Sequence, residues 1–243
     1  MLILGITGSM YKKPYIDVVN EDSPIGFWMF DETSGTIADD RSANSNDMTI
    51  RNGVVLNDPT GLAGITKAFD FDGTNDVCDT ALAATFNIAP NSNWSYEMWV
   101  RTTSTTSFAS PGVWKGLSDQ ETAAFYCNVA ASGRVGVRFM NSTNTGLVLL
   151  ETASGSFNDG NWHHLVATGA SAGNVLLYVD AVQVASSSAG RSSQSTNRQI
   201  TAGANATAET TFADYIDADI AAVAVYNTAL SSTRITAHYN AGL

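Results

Sequence analysis

The stretch 27–40, FWMFDETSGTIADD, runs from an aromatic-rich apolar segment into Asp31 and Glu32, turns through small residues and ends on Asp39 and Asp40. Asn44, Asn46 and Asp47 follow closely. Far along the chain, DYIDAD places Asp217 and Asp219 two residues apart, so in a strand they share a face. Carboxylates in such positions can cut a glycosidic bond, hold a hard cation, or organise a loop. Retaining glycoside hydrolysis needs two carboxyl groups ~5 Å apart across the scissile bond. An alternating E-x-D-x-E strand would supply them, and the chain has none. Asp217 and Asp219 are the nearest approach, which ranks a glycosidase below a non-enzymatic protein. Calcium takes six to eight oxygens from carboxylates, amides, backbone carbonyls and water. Asp31, Asp40, Asn46, Asp217 and Asp219 form the candidate metal set, with Glu32, Asp39, Asn44 and Asp47 beside them.

Other chemistries find fewer residues. The three histidines are His163, His164 and His238, and the adjacent pair opens a strand-like run, so one points inward and one outward. Both read as structural or surface groups. There is no H-E-x-x-H and no Cys/His zinc spacing. Cys78 and Cys127 each sit in a strand-like run and do not make a disulfide framework: they read as two buried free thiols, with a single bridge between them as the alternative. Trp28, Trp94, Trp99 and Trp162 lie in strand motifs and read as core, whereas Trp114, in SPGVWKG, is the candidate sugar-stacking residue.

The elements that must position these groups are strands. WSYEMWVRT alternates Trp94, Tyr96, Met98 and Val100 on one face and carries Glu97 and Trp99 on the other. Neither face is cleanly polar, so this strand belongs in the middle of a sheet covered on both sides. PIGFWMF, KAFDFDG, VCDT, AAFYCNVA, RVGVRFM, GLVLL, WHHLVATG, NVLLYVDAVQV and IAAVAVY continue the series, separated by Gly, Asn, Asp and Ser clusters. Many short strands at this spacing predict a sandwich or jelly roll. One helix is predicted, at the end, where Ser caps SSTRITAHY and Ile235 and Tyr239 share a face. The polar stretch 186–199 reads as a long exposed loop.

The chain has 243 residues, a size that an all-β sandwich reaches as one unit. Charged residues make up only 14%, so Ser, Thr, Asn and Gly must cover the surface. Net charge is −11, with no basic stripe, which argues against nucleic acid and against anionic membrane surfaces. No run approaches the ~20 apolar residues of a membrane span. The opening MLILGITGSMYKK has a short apolar piece with no basic residue before it, a poor signal peptide. Residues 1–16 read as an N-terminal arm, with Leu2, Ile3, Leu4 and Ile6 as its partner-binding side chains, ahead of a single domain at 17–243.

The ordered motifs GFWMFDETSGTIADD, NSNDMTI, KAFDFDGTNDV, WSYEMWVRT, DGNWHHLVATG, NVLLYVDAVQV and IDADIAAVAVYNTALSSTRITAHY resemble the laminin-G-like, concanavalin A-like jelly-roll family. The resemblance implies an all-β, two-sheet antiparallel sandwich with a short C-terminal helix. It implies that the first acidic turn and the segment before the last strand meet and share one calcium. Ala181 stands where the family often has Gly after YVD, and SANSNDM replaces a Gly-rich run. The opening YIDVVNEDSPIGFWMFDETSGT also resembles bacteriophage virion proteins. That implies a virion location, homo-oligomeric assembly and contacts with other virion proteins through the arm, with cell-surface glycan as a further partner. The alternative is a carbohydrate-binding module or adhesin outside a virion.

Overall fold

The computed structural model describes residues 12–86, 92–104, 111–115, 124–128, 133–140, 147–153, 155, 157–171, 174–188, 199–208 and 210–243. A short helix α1 (Tyr15–Asn20) precedes strands β1 (Gly26–Trp28), β2 (Ile37–Ala38), β3 (Met48–Arg51), β4 (Val55–Pro59), β5 (Lys67–Asp72) and β6 (Val77–Thr80). Then come β7 (Trp94–Arg101), β8 (Pro111–Lys115), β9 (Ala124–Asn128), β10 (Arg134–Met140), β11 (Leu147–Glu151) and β12 (His163–Gly169). β13 (Val175–Val179), β14 (Val182–Ser187), β15 (Ile200–Ala202), β16 (Asn205–Ala208), β17 (Thr211–Ala213), β18 (Asp217–Tyr226) and helix α2 (Ser232–Gly242) complete the chain.

Two eight-stranded antiparallel sheets face each other. The first runs β14-β13-β12-β7-β18-β5-β4, with β1 also on β18, and the second runs β11-β10-β9-β8-β15-β6-β3-β2. β7 is central and buried on both faces, as its pattern predicts. Its inward residues Trp94, Tyr96, Met98 and Val100 join Phe69, Phe71, Leu165 and Ile220 against Met48, Ile50, Cys78 and Val137 of the second sheet. Cys78 is a free, buried thiol. The side chain of Cys127 lies outside the described residues.

β18 organises the first sheet. One side pairs with β7, while the other pairs with β5 at Asp217–Ile220 and with β1 at Val223–Val225. The change of partner coincides with a bulge between Ala221 and Ala224, where Ala222 adopts φ 50° and its N–H reaches Met29 O at 3.2 Å. A bulge of this kind bends the strand and raises its twist.

The outer face of the first sheet carries a second core. Phe27, Trp99, Val166, Ala221, Ala224 and Tyr226 pack beneath Tyr15, Val18 and Val19 of α1 and Ile235 and Ala241 of α2. Ser231 caps α2 by accepting Arg234 N at 3.3 Å, as the sequence predicts. Helix α1 was not predicted, and it takes Tyr15 and Ile16 out of the expected arm. Six residues give too little periodicity to read and cannot hold a helix alone. Burying Tyr15 and Val19, at ~1.5–3 kcal/mol for each large apolar side chain, holds it on the sheet. β2–β4, β8 and β15–β17 are also additions to the predicted strands. Leu2, Ile3, Leu4 and Ile6 lie outside the described residues, as do 189–198 of the Ser-rich stretch.

The C-terminus is tied to the 60–66 loop: Gly64 N reaches Gly242 O at 3.0 Å and Ala63 N reaches Leu243 O at 3.2 Å. A Cβ on Gly64 would stand 1.8 Å from Ala241 O. The turn between β13 and β14 has the opposite problem, because both Asp180 and Ala181 hold positive φ, 51° and 63°. Such a two-residue turn favours glycine at its second position. Gly64→Ala should therefore cost ~1–3 kcal/mol by overpacking. Ala181→Gly should stabilise by ~0.5–1 kcal/mol, the strain relieved less the added unfolded-state entropy. Denaturant melts of the two variants check both signs.

Candidate functional site

On the outer face of the first sheet β7 presents Ser95, Glu97, Trp99 and Arg101 in turn. Ser95, Glu97 and Trp99 lie under the helices, and Arg101 marks where the cover ends. Its Nε donates to Asp219 Oδ2 and its Nη2 to Asp58 Oδ2, both at 2.7 Å. The guanidinium lies over the Trp162 ring, 5.0 Å from the centroid. Strand register places Asp70 of β5 opposite Asp219, and Asp72 opposite Asp217. Thr102 Oγ1 donates to Asp217 O at 2.7 Å and fixes the start of β18. Asp70, Arg101, Thr103, Gly160, Asp217 and Asp219 line an open concavity of ≈ 230 Å³.

The electrostatics follow from this crowding. Partial burial, then the nearby charges of Asp219, Asp58 and Asp217, raise the Asp70 carboxyl above its ordinary range. Burial also raises Asp219, and the Arg101 contacts oppose that without overcoming it. The concavity thus holds several acceptors and one fixed guanidinium fork beside an aromatic ring, a set that hydrogen-bonds polyols.

The other expected metal ligands stand elsewhere. Asp40 Oδ1 accepts Phe27 N at 2.9 Å and Ser42 N at 2.8 Å. Its Oδ2 accepts Asn46 N at 2.8 Å and Ser42 Oγ at 2.9 Å. Asp31 pairs with Arg41 at 2.8 Å. Asn46 accepts Trp28 Nε1 on its backbone carbonyl at 2.9 Å and donates its amide to Ile25 O at 3.1 Å. These groups are spent on bracing their own loop, which leaves a poor donor set for calcium. Asp40 stands apart from Asp217 and Asp219. Trp28, bridged to Asp40, pairs with Val223. Asp219 and Asp217 lie four and six residues back along β18, beyond the bulge, where the strand pairs with β5. The shared ion implied by the resemblance finds no support in the place of Asp40. Among the described residues no group of three or more His, Cys, Asp or Glu side chains is arranged to hold a metal. The side chain of Trp114 lies outside the described residues, and its backbone pairs with Thr201.

Sequence reading found Asp217 and Asp219 but missed Arg101, Asp58, Asp70 and Trp162. The signal for Arg101 was the period-two continuation of Glu97 and Trp99. Nothing local marks Asp58, which sits in a strand that was not predicted. The histidines do split across the sheet. His163 faces Asp180 at 2.8 Å and Asp159 at 3.3 Å, while His164 is buried against Trp99 with ring centroids 5.0 Å apart.

A family model described as the concanavalin A-like lectin/glucanases superfamily matches residues 72–236. The chain belongs to this superfamily. Its match spans β7, β18 and most of the concavity, so the fold read from the seven motifs is the superfamily's jelly roll. No curated protein matches the sequence. Among solved structures, domain 4 of AbnA, an extracellular arabinanase from Geobacillus stearothermophilus in complex with arabinotriose, is similar at TM-score 0.69 and 15% identity, covering 91% of this chain and 98% of that one. The binding domain of paraclostridial mosquitocidal protein 1 gives TM-score 0.67 and 13% identity, covering 90% and 52%. The botulinum neurotoxin serotype D binding domain gives 0.64 and 14%, covering 90% and 51%. The chain spans about half the length of these toxin domains, and at such identities the likeness is one of fold.

Arg101→Met should leave Asp58, Asp70 and Asp219 to repel one another, with a loss on the order of 2 kcal/mol at neutral pH. Asp70 and Asp219 have raised carboxyls, so protonation relieves the repulsion and the deficit should shrink as pH falls toward 4. Paired melts of wild type and variant across that range check the sign.

Proposed function

We propose that this domain is a non-catalytic glycan-binding module displayed on a virion surface. The observation that carries the binding half is the concavity of Asp70, Asp217 and Asp219 around Arg101, with Trp162 at its flank. Asp219, the more deeply set carboxylate, is held by Arg101 and so serves as a fixed acceptor, not as a free nucleophile or base. The superfamily and the neighbour solved in complex with arabinotriose support a sugar as ligand. The viral half rests on the opening residues and on the sparsely charged surface. In that setting the chain before α1 contacts other virion proteins, and copies of the domain assemble as homo-oligomers.

A glycan array run with calcium and with EDTA, together with Asp70→Asn and Trp162→Ala, tests the binding half. Wild type should bind, and each variant should bind about tenfold more weakly, the loss expected for one charged hydrogen bond or one stacking contact. EDTA should leave both binding and melting temperature unchanged, since the acidic turn is braced by protein groups. Binding that survives both substitutions would remove the concavity from the reading. Steady release of free sugar would overturn its non-catalytic half. Deleting residues 1–11 should abolish incorporation into particles with the fold intact, and normal incorporation would remove the role of the arm.

A further inference from the structure

Glu97 is a carboxylate with no exposure, in the middle of the central strand. Its Oε1 accepts Tyr226 OH at 2.7 Å, and its Oε2 meets His238 Nδ1 at 2.9 Å and His164 Nε2 at 3.3 Å. His238, also fully buried, turns its other nitrogen to Asp22 Oδ2 at 2.8 Å. Asp22 follows α1, and Arg234 of α2 holds it at 2.7 Å while donating to Val18 O at 2.8 Å. One imidazole therefore stands between two carboxylates that belong to different elements.

A neutral imidazole has one donor and one acceptor, whereas the imidazolium has two donors. With carboxylate oxygens on both nitrogens, only the charged ring satisfies both contacts. On losing its proton, the ring must turn a lone pair toward one carboxylate. Glu97 has no water to fall back on, so the contact that fails is the one to Asp22, whose side chain is 16% exposed. We propose that His238 is a proton-controlled latch: charged, it bridges Glu97 and Asp22 and clamps α1 on the sheet, and neutral, it lets α1 open more often against the remaining hold of Arg234 and of buried Tyr15 and Val19.

The groups around the ring support one direction of titration. The ring meets Glu97 of β7 and Asp22 after α1, with Glu21 beyond and the Tyr226 ring of β18 6.3 Å away, and His164 of β12 stands on the far side of Glu97. Arg234 and Tyr239 come from α2, and Tyr15 from α1. Burial works to lower the His238 pKa, and Glu97 and Asp22 outweigh it, so the net direction is up. Burial works to raise Glu97, and His238 with His164 outweighs it, so Glu97 stays charged. Burial and Glu97 hold Tyr15 and Tyr226 well above their ordinary value, so neither ionises in the working range. The latch is thus complete below about pH 6.5 and lost as pH rises through the elevated pKa of His238.

Amide hydrogen exchange of the full chain, corrected for intrinsic rates and followed from about pH 6 to about pH 9, reads the latch directly. The reporting amides are Val18, Asp22 and Ser23, which close α1 onto Pro14, Val19 and Asn20. Their protection should fall by up to about tenfold per pH unit above the transition, while β7 and β18 stay protected. His238→Gln and Asp22→Asn should each flatten that profile. Asp22 lies at the surface, so its variant carries the test if His238→Gln does not fold. His163→Gln should keep the profile, because His163 is anchored to Asp159 and Asp180 away from α1. A flat wild-type profile, an unchanged slope in Asp22→Asn, or loss of the slope in His163→Gln would each overturn the proposal.

Discussion

A carboxylate buried under two helices is the constraint that the rest of this molecule obeys. Removing an ion from water costs several kcal/mol even after relaxation, so Glu97 must be met by donors of fixed geometry. Those donors come from β12, β18 and α2, and the second imidazole contact recruits the end of α1. Three strands and both ends of the described chain are therefore positioned by one side chain. Breaking such a set is costly because the charge that remains has no partner. The apolar core could be built from many sequences, but the docking of α1 and α2 on this particular face has fewer solutions. Trp99 extends the same logic: its ring stacks on His164 and on Tyr239 at 5.0 and 5.7 Å, so aromatic packing and charge satisfaction fix the same helix.

The outer face of the first sheet is thus divided. Toward Ser95 it is dry and covered, and toward Arg101 it is open and acidic. The division lies along β7 itself, where alternate residues change from core to rim within eight positions. Covering the dry part leaves the concavity as a rigid rim on strands, with Arg101 locked by two carboxylates and an aromatic ring. A surface built this way would lose little freedom on meeting a ligand. It also explains why carboxylates elsewhere look so similar in sequence yet differ in role. Asp40 has four donors on its two oxygens and closes a loop, while Asp70 faces solvent across a crowded strand pair.

Much of the fold was legible from the chain. The period-two pattern of 94–101 placed the central strand, and the Ser-capped ending placed α2. The short strands β2, β4 and β15 were not, because two to five residues carry no decisive period and their burial depends on partners distant in sequence. Helix α1 escaped for the same reason. Of the site, Asp217 and Asp219 could be read as sharing a face. Their neighbours could not, since Asp58, Asp70 and Arg101 converge only through the register of four strands. The place of Asp40 away from Asp217 and Asp219 follows from the same register, which no local spacing reveals. Glu97 was visible as an acid on a core strand, but its two histidines lie 67 and 141 residues away.

The place of β18 has a consequence for how the chain is made. It sits between β7 and β5, yet it follows every other described strand of its sheet in the sequence. Until it emerges, the long β7 and the β5 hairpin are separate pieces, each with one raw edge and one uncovered apolar face. Contacts between residues so far apart in sequence are entropically late. Assembly of the first sheet must then end with a single insertion that zips three strands at once, followed by α2. A nascent chain stalled before residue 226 would be a sticky, half-closed clam, whereas the 17 residues after Tyr226 bring α2 down over the outer face of the first sheet.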